Sequence, residues 1–253
     1  GSPMLALGGH PTTAAWTQLA RTLPKPRAVV VASAHYLSAQ PAVGAAREPS
    51  TIHDFYGFPA PLYALRYPAR GDAELAGELA RLLADAGLPP AVDAQRGLDH
   101  GVWVPLLQLF PDAEVPVVPL AIQPRLGPAH HLRLGRALQP LLAEHVLLIG
   151  SGSLTHNLRE AVLGDDDPAH IPAYVGAFAD WFADHLAAGD ETALLDYRQR
   201  APEAARAHPT EEHLLPLYVA LGAAGQQPRS ERLYSAYSDG SLAMDVYAFT
   251  TAG

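Results

Sequence analysis

The chain predicts an α/β fold: a single domain built on a mixed, mostly parallel central sheet with helices on both faces. Three short apolar runs, VVV at 29–31, VPVVPLAI at 115–122 and VLLI at 146–149, are continuous rather than alternating. That is the pattern of strands buried on both faces. Between them lie segments with apolar residues three and four positions apart, so strand, helix and strand recur in the order of crossover units. The 253 residues are 49% hydrophobic and only 17% charged, enough apolar surface for one large core.

Residues 12–22 read as a short helix stopped by Pro24 and Pro26, which cannot donate to a helix ladder. Residues 28–32 read as a buried strand. In residues 71–87, Asp72, Glu74 and Glu78 sit where the helix dipole favours acid, Leu75, Leu79, Leu82 and Leu83 form one stripe, and Gly87 closes the helix. Residues 115–122 give a second strand, 132–145 a helix, and 146–149 a third strand ending at Gly150-Ser151-Gly152. Residues 171–188 and 211–221 read as helices, the latter capped by Thr210, and 241–249 alternates like a late strand. The 24 prolines and 21 glycines are spread as loop punctuation, and no repeat or domain boundary interrupts residues 1–253.

Composition excludes several classes of function. The formal charge is −9 and no basic cluster exceeds two or three residues, so nucleic acid is not an expected partner. No apolar run reaches the length of about 18 residues that spans a bilayer, and no charged-then-hydrophobic leader opens the chain. The expectation is a cytoplasmic protein with no membrane partner; its oligomeric state is not legible. Cysteine is absent, which removes disulfides, thiolate metal sites and cysteine nucleophiles together. Any metal must be held by nitrogen and oxygen, and the chain has twelve histidines.

Position separates these histidines. In open α/β sheets, ligands gather beyond the carboxyl ends of strands, where loops diverge. His35 follows the first strand by three residues. His156 follows the third through the corner Gly150-Ser151-Gly152-Ser153. One histidine after a strand is usually a hydrogen-bonded loop residue; two at matching strand ends move the balance toward function. His100 lies in GLDHGVW, His53 in TIHDF, and His213 near the start of a helix. His130 and His131 open a helix and are expected on its solvated face; His145, His170, His185 and His208 are expected at the surface. The Asp165-Asp166-Asp167 run lacks ligand spacing and reads as a solvated loop before Pro168. Gly150-Ser151-Gly152 is a weak match to a phosphate-cradling turn or a nucleophile elbow.

Six motifs occur in order along essentially the whole chain: Gly1-Ser2-Pro3-Met4; Ser33-Ala34-His35; TIHDFYGFP at 51–59; LDHGVW at 98–103; SGSLTHNL at 151–158; and PTEEHLLP at 209–216. In this the chain resembles the DOPA 4,5-dioxygenase-like branch of the class III extradiol ring-opening dioxygenases. The resemblance implies Fe(II)-dependent opening of a small catechol such as DOPA beside its diol, with O2 as co-substrate, at a site that leaves several metal positions free. It implies that His35 is a metal ligand and that His213 stands where relatives place a third ligand. His156 matches either the catalytic base or a further ligand of zinc-containing members. His100 matches a second acid–base or substrate-orienting group, and His53 with Tyr56 would shape the substrate pocket. Fe(II) is expected for activity, with Zn(II) possible as the bound metal. The family motif also places a ligating histidine, carried on an apolar strand, immediately before Gly1. Pro3, Met4 and Trp16 continue the family pattern, so that strand and ligand are expected to be missing from this sequence. Two other readings use the same residues: a non-catalytic metal-binding or protein-interaction member of the superfamily, and a zinc hydrolase that activates water. Retention of both His100 and His156 favours the dioxygenase, because a scaffold needs no base.

Overall fold

Residues 2–251 are described by a computed structural model; Gly1, with which the first motif opens, lies outside them. The strands in chain order are β1 (Ala28–Leu37), β2 (Ala42–Gly44), β3 (Ala91–Asp93), β4 (Val117–Ile122), β5 (Val146–Ser151), β6 (Arg229–Tyr234), β7 (Tyr237–Ser238), β8 (Leu242–Ala243) and β9 (Val246–Thr250). The helices are α1 (Pro11–Ala20), α2 (Ala60–Ala64), α3 (Ala73–Asp85), α4 (His100–Leu109), α5 (Gly127–Ala137), α6 (Ala173–Ala188), α7 (Glu191–Leu195), α8 (Tyr197–Arg200), α9 (Ala204–Ala207) and α10 (Leu215–Ala223).

The main sheet has the order β3-β2-β4-β1-β5. Its pairs are parallel except β2–β4, so the expected mixed, mostly parallel sheet is found. The continuous run at 28–34 is buried throughout because β1 lies between β4 and β5 with apolar layers on both faces. Val29 and Val31 pack with Tyr67, Trp103 and Leu106. Val30 and Ala32 face the opposite layer, with Leu79, Phe178 and Tyr218. Helix α3 follows the reading closely: Asp72 accepts from the Leu75 amide at 2.9 Å, and Leu75, Leu79 and Leu83 are its buried stripe. Among the described residues, no helix is long and apolar enough to cross a membrane.

Several elements depart from the reading. β1 runs five residues past Ala32, and its register with β4 jumps from Ser33↔Ala121 to Leu37↔Ile122. His35 therefore sits inside a strand irregularity, not beyond the strand's end. Such an irregularity bends a strand and re-aims a side chain. The helix expected at 132–145 is α5 followed by a 3-10 turn, Gln139–Glu144. α10 starts at Leu215, and the Thr210 hydroxyl donates to the Glu212 carboxylate instead of capping it. The late strand is two: β8 pairs with β7 and β9 with β6, outside the main sheet. His131 and His208 are fully buried. His131 accepts the Gln123 amide through Nε2 and donates from Nδ1 to Gly127 O; His208 donates to Leu154 O. The acidic run is tied down: Asp165 pairs with His170, and Asp166 with His10 and the Asp239 amide.

Candidate functional site

The ends of β1 and β5 and the starts of α4 and α10 meet at one edge of the sheet, and each junction has a local cause. Asp99, buried, accepts from Ser33 Oγ at 2.6 Å and Arg96 Nη2 at 2.7 Å, tying the end of β1 to the residue before α4. α4 can lie this close because residue 101 is glycine; a Cβ there would stand 2.5 Å from Ser33 Oγ and 3.2 Å from His35 Cδ2. Within α4, Pro105 has no N–H for the carbonyl four residues earlier. That carbonyl, Gly101 O, instead accepts Ser151 Oγ from the end of β5. The Gly150-Ser151-Gly152 corner thus serves close backbone packing. A Cβ on Gly150 would lie 2.1 Å from Pro216 O and one on Gly152 2.0 Å from His213 O, while the Ser153 amide donates to His213 O at 2.8 Å.

This scaffold brings four of the sequence-selected histidines together. His35 Nε2 and His213 Nε2 are 3.3 Å apart. The ring centroids of His35 and His100 are 3.9 Å apart, and His156 stacks on His213 at 3.4 Å with planes 6° apart. Two carboxylates that sequence reasoning missed hold the outer nitrogens. Glu212 Oε1 lies 3.1 Å from His213 Nδ1. Asp54 places Oδ1 3.0 Å from His100 Nδ1 and Oδ2 3.5 Å from His35 Nδ1. Each sits beside a selected histidine in the sequence, Asp54 after His53 and Glu212 before His213, which was the only signal for either. Potential ligand atoms form two groups, His35–Asp54–His100 and His156–Glu212–His213, each within 4.8 Å. The short His35–His213 separation joins them.

The donor set fits a cation. If each Nδ1 carries the proton that faces a carboxylate, the two Nε2 atoms meet as bare lone pairs, an arrangement that repels unless a cation lies between. Imidazole–metal bonds of about 2.0–2.1 Å at a tetrahedral angle separate two nitrogens by roughly 3.3–3.4 Å, which matches the 3.3 Å seen here. Carboxylate–histidine pairs of this kind fix the ligand tautomer. The protonation states agree. Burial, then the neighbouring His100 and His213, push His35 down to about 3. Burial and His213 push His156 down to about 2. His213 is lowered by burial even though Glu212 opposes it. Burial alone would raise Asp54, but hydrogen bonding and charge from His100 outweigh it and hold the carboxyl at about 2. The hydrogen bond from His213 brings Glu212 to about 2. Near neutral pH His35, His156 and His213 are therefore neutral imidazoles and Asp54 and Glu212 ionised carboxylates, the metal-binding forms of both.

His53 and Tyr56 are not brought to this cluster. His53 packs edge-on to Trp103, with centroids 5.7 Å apart, and donates to Leu65 O at 3.0 Å. Tyr56 is 89% exposed. Neither lines the apolar groove of about 450 Å3 that runs along β5 to His35, His100 and His213. The groove walls include Val104, Pro105, Leu147, Ile149, Leu217 and Met244. His10, also outside the cluster, caps α1 through Nδ1.

Residues 9–247 match the family described as the catalytic LigB subunit of aromatic ring-opening dioxygenase. The chain is 39% identical over 255 residues to 4,5-DOPA dioxygenase extradiol of Beta vulgaris, a match covering 99% of this chain and 94% of that protein. It is also 39% identical to 4,5-DOPA dioxygenase extradiol of Escherichia coli (strain K12), over 90% of this chain and 84% of that one. A crystal structure of an uncharacterized protein from Escherichia coli K12 superposes with a TM-score of 0.78 at 32% identity, covering 93% of this chain and 91% of the other. With the family model spanning nearly the whole chain and the histidine cluster assembled at the sheet edge, the chain belongs to the LigB family of aromatic ring-opening dioxygenases.

Proposed function

We propose that the protein is an Fe(II)-dependent extradiol dioxygenase that opens the ring of a small catechol such as DOPA beside its two oxygens, consuming O2. The observation that carries this reading is the convergence of His35 Nε2 and His213 Nε2 at 3.3 Å, each ring backed by a carboxylate. Two relatives named 4,5-DOPA dioxygenase extradiol, from a plant and a bacterium, support the substrate class.

In this reading His35 and His213 hold the metal through Nε2. When bound, Fe(II) supplies adjacent open positions for the catechol oxygens and O2. Zn(II) binds the same nitrogen donors more tightly in the usual affinity order, so purified protein carrying zinc is compatible with an iron enzyme. His156 is read as the base that takes a catechol proton. Its ring lies parallel to that of His213 at 3.4 Å, beside the residue that would hold the metal. A neutral His156 is ready to accept a proton, and a catecholate arriving beside it favours the imidazolium. His100, whose Nδ1 faces Asp54, orients the substrate or exchanges a second proton through Nε2. The apolar walls of the groove exclude water from the reacting ring.

The test is anaerobic reconstitution with Fe(II), followed by catechol and air-saturated buffer. Uptake of about one O2 per catechol, with a coloured ring-opened product, is expected. Absence of uptake across a panel of catechols that includes DOPA would refute the reading.

A further inference from the structure

Asp54 was not among the residues singled out in the sequence, yet it touches more of the cluster than any other carboxylate there. Oδ1 accepts the backbone N–H of His100 at 2.9 Å and lies 3.0 Å from Nδ1 of the same residue. Oδ2 lies 3.5 Å from His35 Nδ1. His100 Nδ1 is shut off from solvent and makes no well-aligned hydrogen bond among the described residues, so the Asp54 carboxylate 3.0 Å away is the charge it faces. The first residue of α4 and the bulged residue of β1, distant in sequence, thus share one carboxylate.

We propose that Asp54 is a positioning residue whose single carboxylate sets the tautomer of both His35 and His100, so that each ring keeps its proton on Nδ1 and presents a bare Nε2 to the groove. Histidine chooses its tautomer by the hydrogen bond its other nitrogen makes, and a carboxylate is an acceptor only. With Asp54 ionised, either ring pays electrostatically for turning a lone pair toward it. One side chain thereby prepares a metal ligand and the neighbouring acid–base group together. Outer-shell partners of this kind typically change metal affinity 10–100-fold when lost.

A merely structural Asp54 makes a different forecast, because its bond to the His100 N–H alone would only secure the start of α4. Asp54→Asn separates the two roles: the amide oxygen still accepts from the His100 N–H, while the amide NH2 turns a donor toward an imidazole. Long-range 15N–1H correlation spectra of the metal-free protein read each ring's tautomer without metal or catechol. In the wild type, His35 and His100 are expected as Nδ1–H rings. In Asp54→Asn the tautomer of His35, which then faces the amide NH2, is expected to redistribute, and Zn(II) affinity by chelator competition to fall roughly 10–100-fold with the thermal midpoint nearly unchanged. Asp54→Ala should show the same loss of affinity. Wild-type rings in the Nε2–H form, or an Asp54→Asn protein with unaltered tautomers and Zn(II) affinity, would overturn the proposal and leave Asp54 a structural cap. The wild-type spectra decide the matter even if a variant does not fold. The proposal rests on the reading of His35 as a ligand and His100 as an acid–base group; because neither readout uses oxygen or a catechol, failure of the ring-opening reaction would show separately.

Discussion

Gly152→Ala perturbs the site without removing any side chain. A Cβ at this position would lie 2.0 Å from His213 O and 3.0 Å from the His213 carbonyl carbon, against the 3.0 Å below which real Cβ contacts essentially do not occur. The obstacle is backbone, so no rotamer change relieves it; the chain at His213 must retreat by at least about 1 Å (3.0 − 2.0 Å). The Ser153 N–H to His213 O bond, 2.8 Å long, is strained by the same movement. Overpacking of this kind costs about 1–3 kcal/mol, which for a chain of this size lowers the thermal midpoint by roughly 3–10 °C. Because the displaced residue is a metal-ligand candidate, a shift of about 1 Å should also reduce turnover on the order of 100-fold. The assay pairs calorimetry with Zn(II) affinity and oxygen uptake. Gly77→Ala in α3 is the control: its Cβ meets nothing within 4 Å, and the change should stabilise the helix by about 0.5–1 kcal/mol. A Gly152→Ala protein with wild-type midpoint and wild-type Zn(II) affinity would refute the steric argument.

Further outcomes follow from the same geometry. His156→Ala should lower turnover about 10²–10⁴-fold while leaving bound metal per chain unchanged; parallel loss of both would make His156 a ligand. Zn(II) at 100 times its dissociation constant should stabilise the wild type by about 2.7 kcal/mol, visible as a rise in thermal midpoint that His35→Ala and His213→Ala abolish. His131 and His208 are fully buried, and burial brings each to about 4 from an ordinary value of 6.5. In both cases the folded value is the lower one, so the unfolded chain takes up protons first. Stability is complete above about pH 6.5 and declines as the pH falls toward 4, by on the order of 3 kcal/mol per residue. Urea midpoints of metal-free protein at pH 7, 5.5 and 4.5 should fall in that order, and His131→Gln should flatten the slope; midpoints that do not move with pH would contradict the assignment.

The fold was legible where local pattern and burial agree. The apolar runs of β1 and β4 are buried because both sheet faces are covered, whereas β5, expected to be buried as well, is the edge strand along the groove and is only half-buried beyond Val146; α3 carries its cap and stripe within thirteen residues. α4 was not legible, because Gly101 and Pro105 argue locally against a helix; tertiary bonds from Asp54 and Ser151 supply what its first turn lacks. Of the site, His35, His100, His156 and His213 stood out, while Asp54 and Glu212 did not. A carboxylate beside a histidine in the sequence is common, and what distinguishes Asp54 is contact with residues 19 and 46 positions away. His131 and His208 misled in the other direction. Polar neighbours in the sequence suggested solvent, whereas each finds backbone partners in the interior.

Pro105 leaves one further consequence, for how the site should be dissected. Alanine scanning assumes that every replacement subtracts something. At position 105 it would add an N–H aimed at Gly101 O, where Ser151 already donates. The scan would then record competition between two donors for one acceptor and score it as a lost proline contact. Ser151→Ala measured alongside Pro105→Ala, and in the double variant, separates the two: if the donors compete, the effects are strongly non-additive, and the junction between α4 and β5 is seen to depend on an atom that the wild-type chain does not have.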